Sequence, residues 1–172
     1  GISLCEGMEA MTSKRLGRQT VRLGSPVSVL SYANIGGKQE AQGPLAGYFD
    51  ELNQDAYFGQ KSWEKGESAM QQFALRRAME KGGLIPEDLD YVLAGDLLNQ
   101  CIGSSFSLRN RGVPTLGLYG ACSTMAESLL LAAMSVSGGY ARTALAMTSS
   151  HFASSERQYR FPLGYGGQRT PT

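Results

Sequence analysis

The alternation of short strand-like runs with helical runs is the feature that most constrains how this chain can fold. Apolar or alternating runs predict strands at residues 27–32, 91–94, 115–119 and 143–147. Apolar periodicity and end signals predict helices at residues 63–82, 101–109 and 122–137. This order of elements predicts an α/β domain with a mostly parallel sheet and right-handed crossovers.

The last of these helices is built almost entirely of small and apolar residues. Its only charged residue is Glu127. Its apolar stripe consists of Met125, Leu129, Ala132, Ala133 and Val136. A helix that is apolar on most sides is usually buried in the middle of a protein. We expect such a helix to expose apolar surface, and the chain to self-associate, if part of its cover is missing.

The first helix carries signals at both ends. Ser62 is a typical N-cap before Trp63, and the pair Gly82-Gly83 ends the helical pattern. Its apolar positions at helical spacing are Met70, Phe73, Ala74 and Ala78. We expect this stripe to face the core.

Composition argues against several classes of function. The chain has 172 residues, of which 42% are hydrophobic, and its 16 basic and 15 acidic residues leave a net charge of +1. This balance predicts no nucleic-acid partner. The longest strongly apolar run, from Leu129 to Met134, is far shorter than the roughly 20 residues that span a bilayer. We expect no transmembrane segment and no signal peptide, and we interpret residues 1–18 as a leader or flexible N-terminus before one domain at 19–172.

Cysteine and histidine are too few and too scattered for a metal site. The cysteines are Cys5, Cys101 and Cys122, without metal-type spacing, and His151 is the only histidine. We expect neither a disulfide framework nor a bound metal, and a reducing compartment. Cys101 lies in a predicted helix with no motif around it and is expected in the core.

The sharpest local feature is the segment Gly120-Ala-Cys-Ser-Thr124, where a strand ends and a cysteine stands at the mouth of a helix. The helix dipole and free backbone N–H groups there stabilise a thiolate, which would make Cys122 a nucleophile. The same groups could bind an oxyanion or a carboxylate ligand. The alternative is that Cys122 is a small buried side chain that fills space.

Polar residues also follow the strand predicted at 91–94, where Asp96, Asn99 and Gln100 begin the next connection. Ligands of open parallel sheets gather at the carboxyl ends of the strands. We therefore expect the loops at Asp96, Gly120 and Ser149 to lie together if their strands are neighbours. The alternative for Asp96 and Asn99 is capping of the loop and the following helix.

The segment after Ser149 is polar and rich in arginine, and we expect no core element in residues 151–172. His151 is either a general base or a neutral structural histidine. Arg157 and Arg160 present guanidinium groups that match carboxylates in two-point contacts, so a small aromatic diacid would suit them together with a helix N-terminus. The alternative is a solvated polar loop.

Five segments, in order, resemble the stage V sporulation protein AD family of the thiolase-like superfamily. These segments are 93–100 (LAGDLLNQ), 118–124 (LYGACST), 146–151 (AMTSSH), 156–162 (ERQYRFP) and 165–168 (YGGQ). The resemblance extends over nearly the whole chain from about Met11. It implies the N-terminal half of a thiolase-like fold, with a mixed, mostly parallel five-stranded sheet, helices on both faces, and the C-terminal half absent.

The resemblance also implies a function. The family binds dipicolinic acid and takes part in its uptake, with calcium, into the developing spore, together with other proteins of the stage V sporulation A operon. It implies no required cofactor, a cytoplasmic or forespore location peripheral to the spore inner membrane, and a homodimer formed through the strand from Thr115 to Tyr119. The alternatives are an acyltransferase or ketoacyl-synthase-like enzyme that uses Cys122, and a scaffold that docks channel subunits.

Specific residues are carried over with the resemblance. Cys122 occupies the nucleophile position of the superfamily, although the complete catalytic set of the enzymes is not present. His151 matches the sporulation family rather than a catalytic histidine. The expected ligand-binding residues are Asp96, Asn99, Gln100, Ser123, His151, Arg157 and Arg160.

Overall fold

The fold was analysed in a computed structural model, which describes residues 14–98 and 101–160. In chain order, the strands and helices are β1 (Arg15–Leu16), β2 (Thr20–Val21), β3 (Ile35–Gly36), β4 (Glu51–Leu52), α1 (Trp63–Gly82), β5 (Tyr91–Gly95), α2 (Ile102–Leu108), β6 (Thr115–Gly117), α3 (Thr124–Ser137), β7 (Ala144–Thr148) and α4 (Phe152–Arg160).

The central sheet has three parallel strands in the order β6-β5-β7. The predicted α/β class, the parallel pairing and the strand positions near 91, 115 and 143 are confirmed. The sheet is smaller than the expected five strands, because β1 and β2 form a separate antiparallel hairpin and β3 and β4 a separate parallel pair. Because β6 and β7 lie on opposite sides of β5, the β5–β6 and β6–β7 crossovers run across the sheet in opposite directions. Right-handed connections then put α2 and α3 on opposite faces of the sheet.

The core lies on one face of the sheet. Val92 and Ala94 of β5 pack there with Leu75 of α1, Leu108 of α2 and Met147 of β7. Alternation along the strand turns Leu93 and Gly95 to the other face, which α3 covers.

Helix α1 begins and ends where the sequence predicts. The Ser62 hydroxyl oxygen accepts the Lys65 N–H at 3.3 Å, and Gly83 adopts the left-handed conformation (φ 63°) that closes the helix. The predicted apolar stripe, however, is not the most buried face. The residues buried most deeply are Gly66, Glu67, Ser68, Gln71 and Leu75, while Met70, Phe73, Ala74 and Ala78 are only partly buried.

Helix α3 is covered on one side only. Its Thr124, Ser128 and Ala132 are buried against the sheet. On its outer side, apolar side chains remain between 39% and 53% exposed, namely Met125, Leu129, Leu130 and Met134. The predicted burial of this helix therefore holds for one face, and the outer face is the exposed apolar surface expected of an incompletely covered helix.

Two local predictions are wrong. No strand forms at 27–32, where Ser31 instead donates a side-chain hydrogen bond to the Ala78 carbonyl oxygen at 2.7 Å. Residues 152–160 form helix α4 rather than a loop, and Ser154 and Ser155 are buried in it. Hydrogen bonds between polar side chains hold α4 in place, and hydrophobic periodicity does not detect them.

Candidate functional site

The carboxyl ends of the three parallel strands form one edge of the sheet, which we call the carboxyl edge. The Ser149 N–H donates to the Gly95 carbonyl oxygen at 3.3 Å, and the Leu118 N–H donates to that of Ala94 at 2.8 Å. The Tyr119 hydroxyl donates to the Leu97 carbonyl oxygen at 3.4 Å. The predicted proximity of the loops at Asp96, Gly120 and Ser149 is thus confirmed.

Cys122 is exposed at the amino end of α3, within a short 3-10 turn at Ala121–Ser123. Ala121 has a φ of 50°, which is uncommon for a residue with a side chain. The Ser123 hydroxyl donates to the Gly120 carbonyl oxygen at 2.8 Å. Among the described residues, no side chain caps the amino end of α3. The Ser123 and Thr124 N–H groups bond to the Gly120 and Ala121 carbonyl oxygens, and the positive end of the helix dipole lies beside the thiol.

Gly95 allows β5 to approach this turn closely. A Cβ atom at Gly95 would lie 2.2 Å from the Leu118 carbonyl oxygen and 2.5 Å from Cγ2 of Thr124. Thr124 is fully buried, and its hydroxyl oxygen accepts the Gly120 N–H at 3.2 Å. A glycine at the end of β5 is therefore needed to seat the Cys122 turn against the sheet.

Asp96 holds the connection between β5 and α2. Its carboxylate accepts the Leu98 N–H at 2.9 Å, the Ser104 N–H at 2.7 Å and the Ser104 hydroxyl. Asp96 is only 1% exposed, so these bonds shape the loop from inside the protein. Asn99 and Gln100, which were predicted with it as ligand contacts, lie outside the described residues.

Cys101 is a buried residue at the start of α2, as predicted. Its Sγ donates to the Leu118 carbonyl oxygen at 3.1 Å. Burial, with a further contribution from the negative charge of Asp96, raises the pKa of the Cys101 thiol. Cys101 is therefore a protonated core thiol, in contrast to the exposed Cys122.

Both ring nitrogens of His151 are in use. Its Nε2 lies 2.6 Å from the Ala56 carbonyl oxygen, and its Nδ1 accepts the Ser154 N–H at 3.3 Å. This pattern assigns the neutral tautomer with the proton on Nε2. The ring also stacks on Trp63, with centroids 6.0 Å apart. His151 thus joins the loop after β7 to the segment before α1.

A buried chain of hydrogen bonds links α2, α1 and the loop after β7. The Ser107 hydroxyl donates to Gln71 Oε1 at 2.6 Å, and Gln71 Nε2 donates to the Ser149 hydroxyl oxygen at 2.6 Å. The Ser149 hydroxyl in turn donates to Glu67 Oε1 at 2.7 Å. Each of these three hydrogen bonds runs in the direction of Glu67, so the Glu67 carboxyl group is the final acceptor of the series.

Sequence reasoning missed Glu67, which has no exposed surface. Burial raises the pKa of this carboxyl group, and the nearby charge of Asp96 adds to the effect. A Cβ atom at Gly103 would lie 3.3 Å from Cγ of Asp96 and 3.5 Å from Cδ of Glu67, so the two carboxyl groups flank Gly103. The available sequence signal is the i, i+4 spacing of Glu67 and Gln71.

Helix α4 carries Arg157 and Arg160, and the structure describes the side chain of Arg157. The Arg157 guanidinium pairs with Glu64 and lies 5.1 Å over the Trp63 ring. From another side of α4, the Tyr159 hydroxyl donates to the Leu97 carbonyl oxygen at 3.0 Å. The structure therefore places Arg157 against α1 and Tyr159 at the carboxyl edge. The side chain of Arg160 lies outside the described part of the chain.

The described ranges contain neither a metal-binding cluster nor a membrane-spanning helix. In residues 14–98 and 101–160, no group of three or more histidine, cysteine, aspartate or glutamate residues is arranged to hold a metal ion. Within the same ranges, no helix combines the length and the apolar character needed to cross a membrane.

Comparison with known proteins gave a family and relatives. The family model of stage V sporulation protein AD (SpoVAD) matches residues 17–172. Stage V sporulation protein AD of Bacillus subtilis (strain 168) is 42% identical over 159 residues, which cover 92% of this chain and 47% of that protein. The chain therefore spans about half the length of this relative.

Among solved structures, a match was found to 3-oxoacyl-[acyl-carrier-protein] synthase III from Aquifex aeolicus VF5. It is 22% identical, with a TM-score of 0.43, and covers 51% of this chain and 30% of that chain. The family model covers nearly the whole sequence, and the curated relative exceeds two fifths identity over most of it. On these two matches, the chain belongs to the stage V sporulation protein AD family.

Proposed function

We propose that this chain forms part of a sporulation protein that binds dipicolinic acid and supports its uptake, as calcium dipicolinate, into the developing spore. Family membership carries the proposal. Calcium would enter as part of the transported ligand. The proposed protein partners are the other products of the stage V sporulation A operon, at the periphery of the spore inner membrane of the forespore.

The amino end of α3 is the proposed anchor for the ligand. Dipicolinate is a planar aromatic dianion, and an uncapped helix N-terminus attracts a carboxylate through its dipole and its N–H groups. Cys122 and Ser123 are exposed at this helix end. The hydroxyl groups of Tyr119 and Tyr159 lie close to each other at the carboxyl edge, since both donate to the Leu97 carbonyl oxygen.

The other expected ligand residues receive different roles in this proposal. Asp96 and His151 position the loops, because their polar atoms are engaged within the protein. Asn99 and Gln100 would contact the ligand from the loop after β5. Arg160 and Arg157 would supply guanidinium groups for the second carboxylate, and Arg157 would exchange Glu64 for the ligand.

Calorimetric titration of dipicolinate into four variants tests this location. Cys122→Ala should weaken binding about twofold at most, because the helix N–H groups stay in place. Arg157→Ala or Arg160→Ala should weaken it at least about tenfold, since a hydrogen bond to a charged group is worth roughly 1.5–3 kcal/mol. Arg109→Ala is the matched control, because Arg109 lies over Phe106 at 5.7 Å. If Cys122→Ala, Arg157→Ala and Arg160→Ala all bind like the wild type, the proposed location is wrong.

A second candidate function is acyl transfer through Cys122. It is favoured by the exposed thiol at an uncapped helix end and by the left-handed Ala121 that precedes it. The Cys122 thiolate would attack the thioester carbonyl of acetyl-coenzyme A, forming a new carbon–sulfur bond and expelling coenzyme A as its thiol. Intact-mass analysis after incubation would detect the acetyl group. An unmodified mass on the longer relative would exclude this function.

The proposed homodimer would form through the strand from Thr115 to Tyr119. Strand β6 lies at the edge of the sheet, and Thr115, Leu116 and Gly117 are exposed. An edge strand of this kind offers unpaired backbone groups to a second copy. Light scattering should give a lower mass for Thr115→Pro, which removes a backbone donor, than for the wild type. An unchanged mass for Thr115→Pro would count against this interface.

A further inference from the structure

A cavity of about 200 Å³ opens at the amino end of the sheet, opposite the carboxyl edge. We call it the amino-edge cavity. It lies between the second half of α1, the start of β5 and the end of α2. Its apolar wall includes Leu75, Met79, Leu89, Val92, Leu108 and Val113.

The floor of this cavity is the hydrophobic core itself. Leu75, Leu89, Val92 and Leu108 belong to the buried core cluster, and none is more than 8% exposed. Core side chains that border an open cavity lack contact partners on one side. An apolar group that enters the cavity therefore gains contacts and is removed from water.

Two arginines lie at the rim of the amino-edge cavity, one in α1 and one just after α2. Arg76 comes from α1 and Arg111 follows α2, and both line the cavity. Within the described residues, neither guanidinium group has a side-chain partner. Glu80, which also lines the cavity, is paired with Arg77 at 3.5 Å. The rim therefore offers two positive charges, which suit one anionic group.

We propose that the amino-edge cavity binds a small apolar monocarboxylate, with its hydrocarbon part against the core and its carboxylate between Arg76 and Arg111. The volume equals that of about seven water molecules, at about 30 Å³ each, which fits a short alkyl or aryl group and is smaller than a drug-sized site. Dipicolinate does not fit this chemistry, because its second carboxylate would face an apolar wall. The site is thus separate from the one proposed at the carboxyl edge.

Octanoate is the probe, titrated calorimetrically into the wild-type chain and its variants. The wild type should bind octanoate saturably at one site, and n-octylamine should not bind. Arg76→Met and Arg111→Met, which keep most of the side-chain stem, should each weaken binding about tenfold or more. Arg77→Met is the matched control on the same helix and should bind like the wild type. None of these variants should change the titration with dipicolinate.

Filling the cavity gives an independent test. Val113→Phe should abolish octanoate binding. Val113→Leu is the substitute if Val113→Phe does not fold, and it should weaken octanoate binding. The proposal is overturned if the wild type shows no saturable binding up to millimolar octanoate, or if the Arg76→Met/Arg111→Met double variant binds like the wild type. It is also overturned if an acidic peptide with one leucine binds more tightly than octanoate and is blocked by Val113→Phe, because the cavity would then dock a protein segment.

Discussion

At the scale of single residues, the burial of Glu67 has consequences for stability. Its folded-state pKa is raised above the ordinary value of 4.5 because burial disfavours the charged form. The folded protein therefore holds this proton more tightly than the unfolded chain. Linkage then requires the free energy of unfolding to fall as pH rises from about 4.5 through the raised pKa.

Glu67→Gln should remove this part of the pH dependence. The glutamine oxygen can still accept the Ser149 hydroxyl and the His151 N–H, which bond the carboxylate at 2.7 and 3.3 Å. Urea midpoints measured between pH 4.5 and 7.5 should fall with pH in the wild type relative to the variant. Glu87→Gln, at an exposed position, should follow the wild type. Parallel curves for Glu67→Gln and wild type would contradict the assignment.

The two described cysteines should differ sharply in reactivity. Cys122 is exposed at a helix N-terminus, whereas burial raises the pKa of the Cys101 thiol. Brief treatment of the folded protein with iodoacetamide, followed by peptide mapping, should show Cys122 alkylated at least about tenfold faster than Cys101. In urea, which serves as the unfolded reference, the two thiols should react at equal rates. Equal alkylation rates in the native protein as well would mean that the local environments do not control these thiols.

At the scale of elements, the junction of β5 and α3 depends on a glycine. Gly95→Ala would bring its Cβ to 2.2 Å from the Leu118 carbonyl oxygen, which is backbone and cannot move aside cheaply. Overpacking of this kind should lower the free energy of unfolding by about 1–3 kcal/mol or more. Gly117→Ala on the neighbouring strand is the control, because its Cβ would meet only Cys101 Sγ at 4.0 Å. Chemical denaturation that gives equal losses for both variants would refute this account.

Elements with strong periodicity or end signals were predictable, and elements held by specific polar contacts were not. The bounds of α1 follow from Ser62 and the Gly82-Gly83 pair, and the parallel order follows from the alternation of strands and helices. Helix α4 was missed because its contacts include a hydrogen bond from Ser154 to Glu67 at 3.4 Å rather than an apolar stripe. The same polar contacts explain why the most buried face of α1 was misassigned.

The candidate site was predictable in position but not in detail. Parallel neighbours bring their carboxyl ends to one edge, so the meeting of the loops at Asp96, Gly120 and Ser149 follows from topology. Side-chain direction does not follow from topology. The inward bonds of Asp96, the use of both His151 nitrogens and the pairing of Arg157 with Glu64 required the structure.

At the scale of the whole molecule, the outer face of α3 should drive self-association. Leu129 and Leu130 are 47% and 53% exposed within a row of apolar residues. Leu129→Lys should shift the sedimentation profile of this chain towards smaller species. Leu45→Lys, at a position outside α3 that is 62% exposed, should leave it unchanged. An unaltered profile for Leu129→Lys would show that this face does not mediate association.

We propose that the carboxyl edge of this α/β domain binds dipicolinate. The most direct test is a calorimetric titration of dipicolinate into this chain, with and without calcium, and with acetyl-coenzyme A titrated in parallel. We predict saturable heat from one dipicolinate site and none from acetyl-coenzyme A. The absence of saturable heat with dipicolinate under either condition, for both this chain and its Bacillus subtilis relative, would contradict binding at the carboxyl edge.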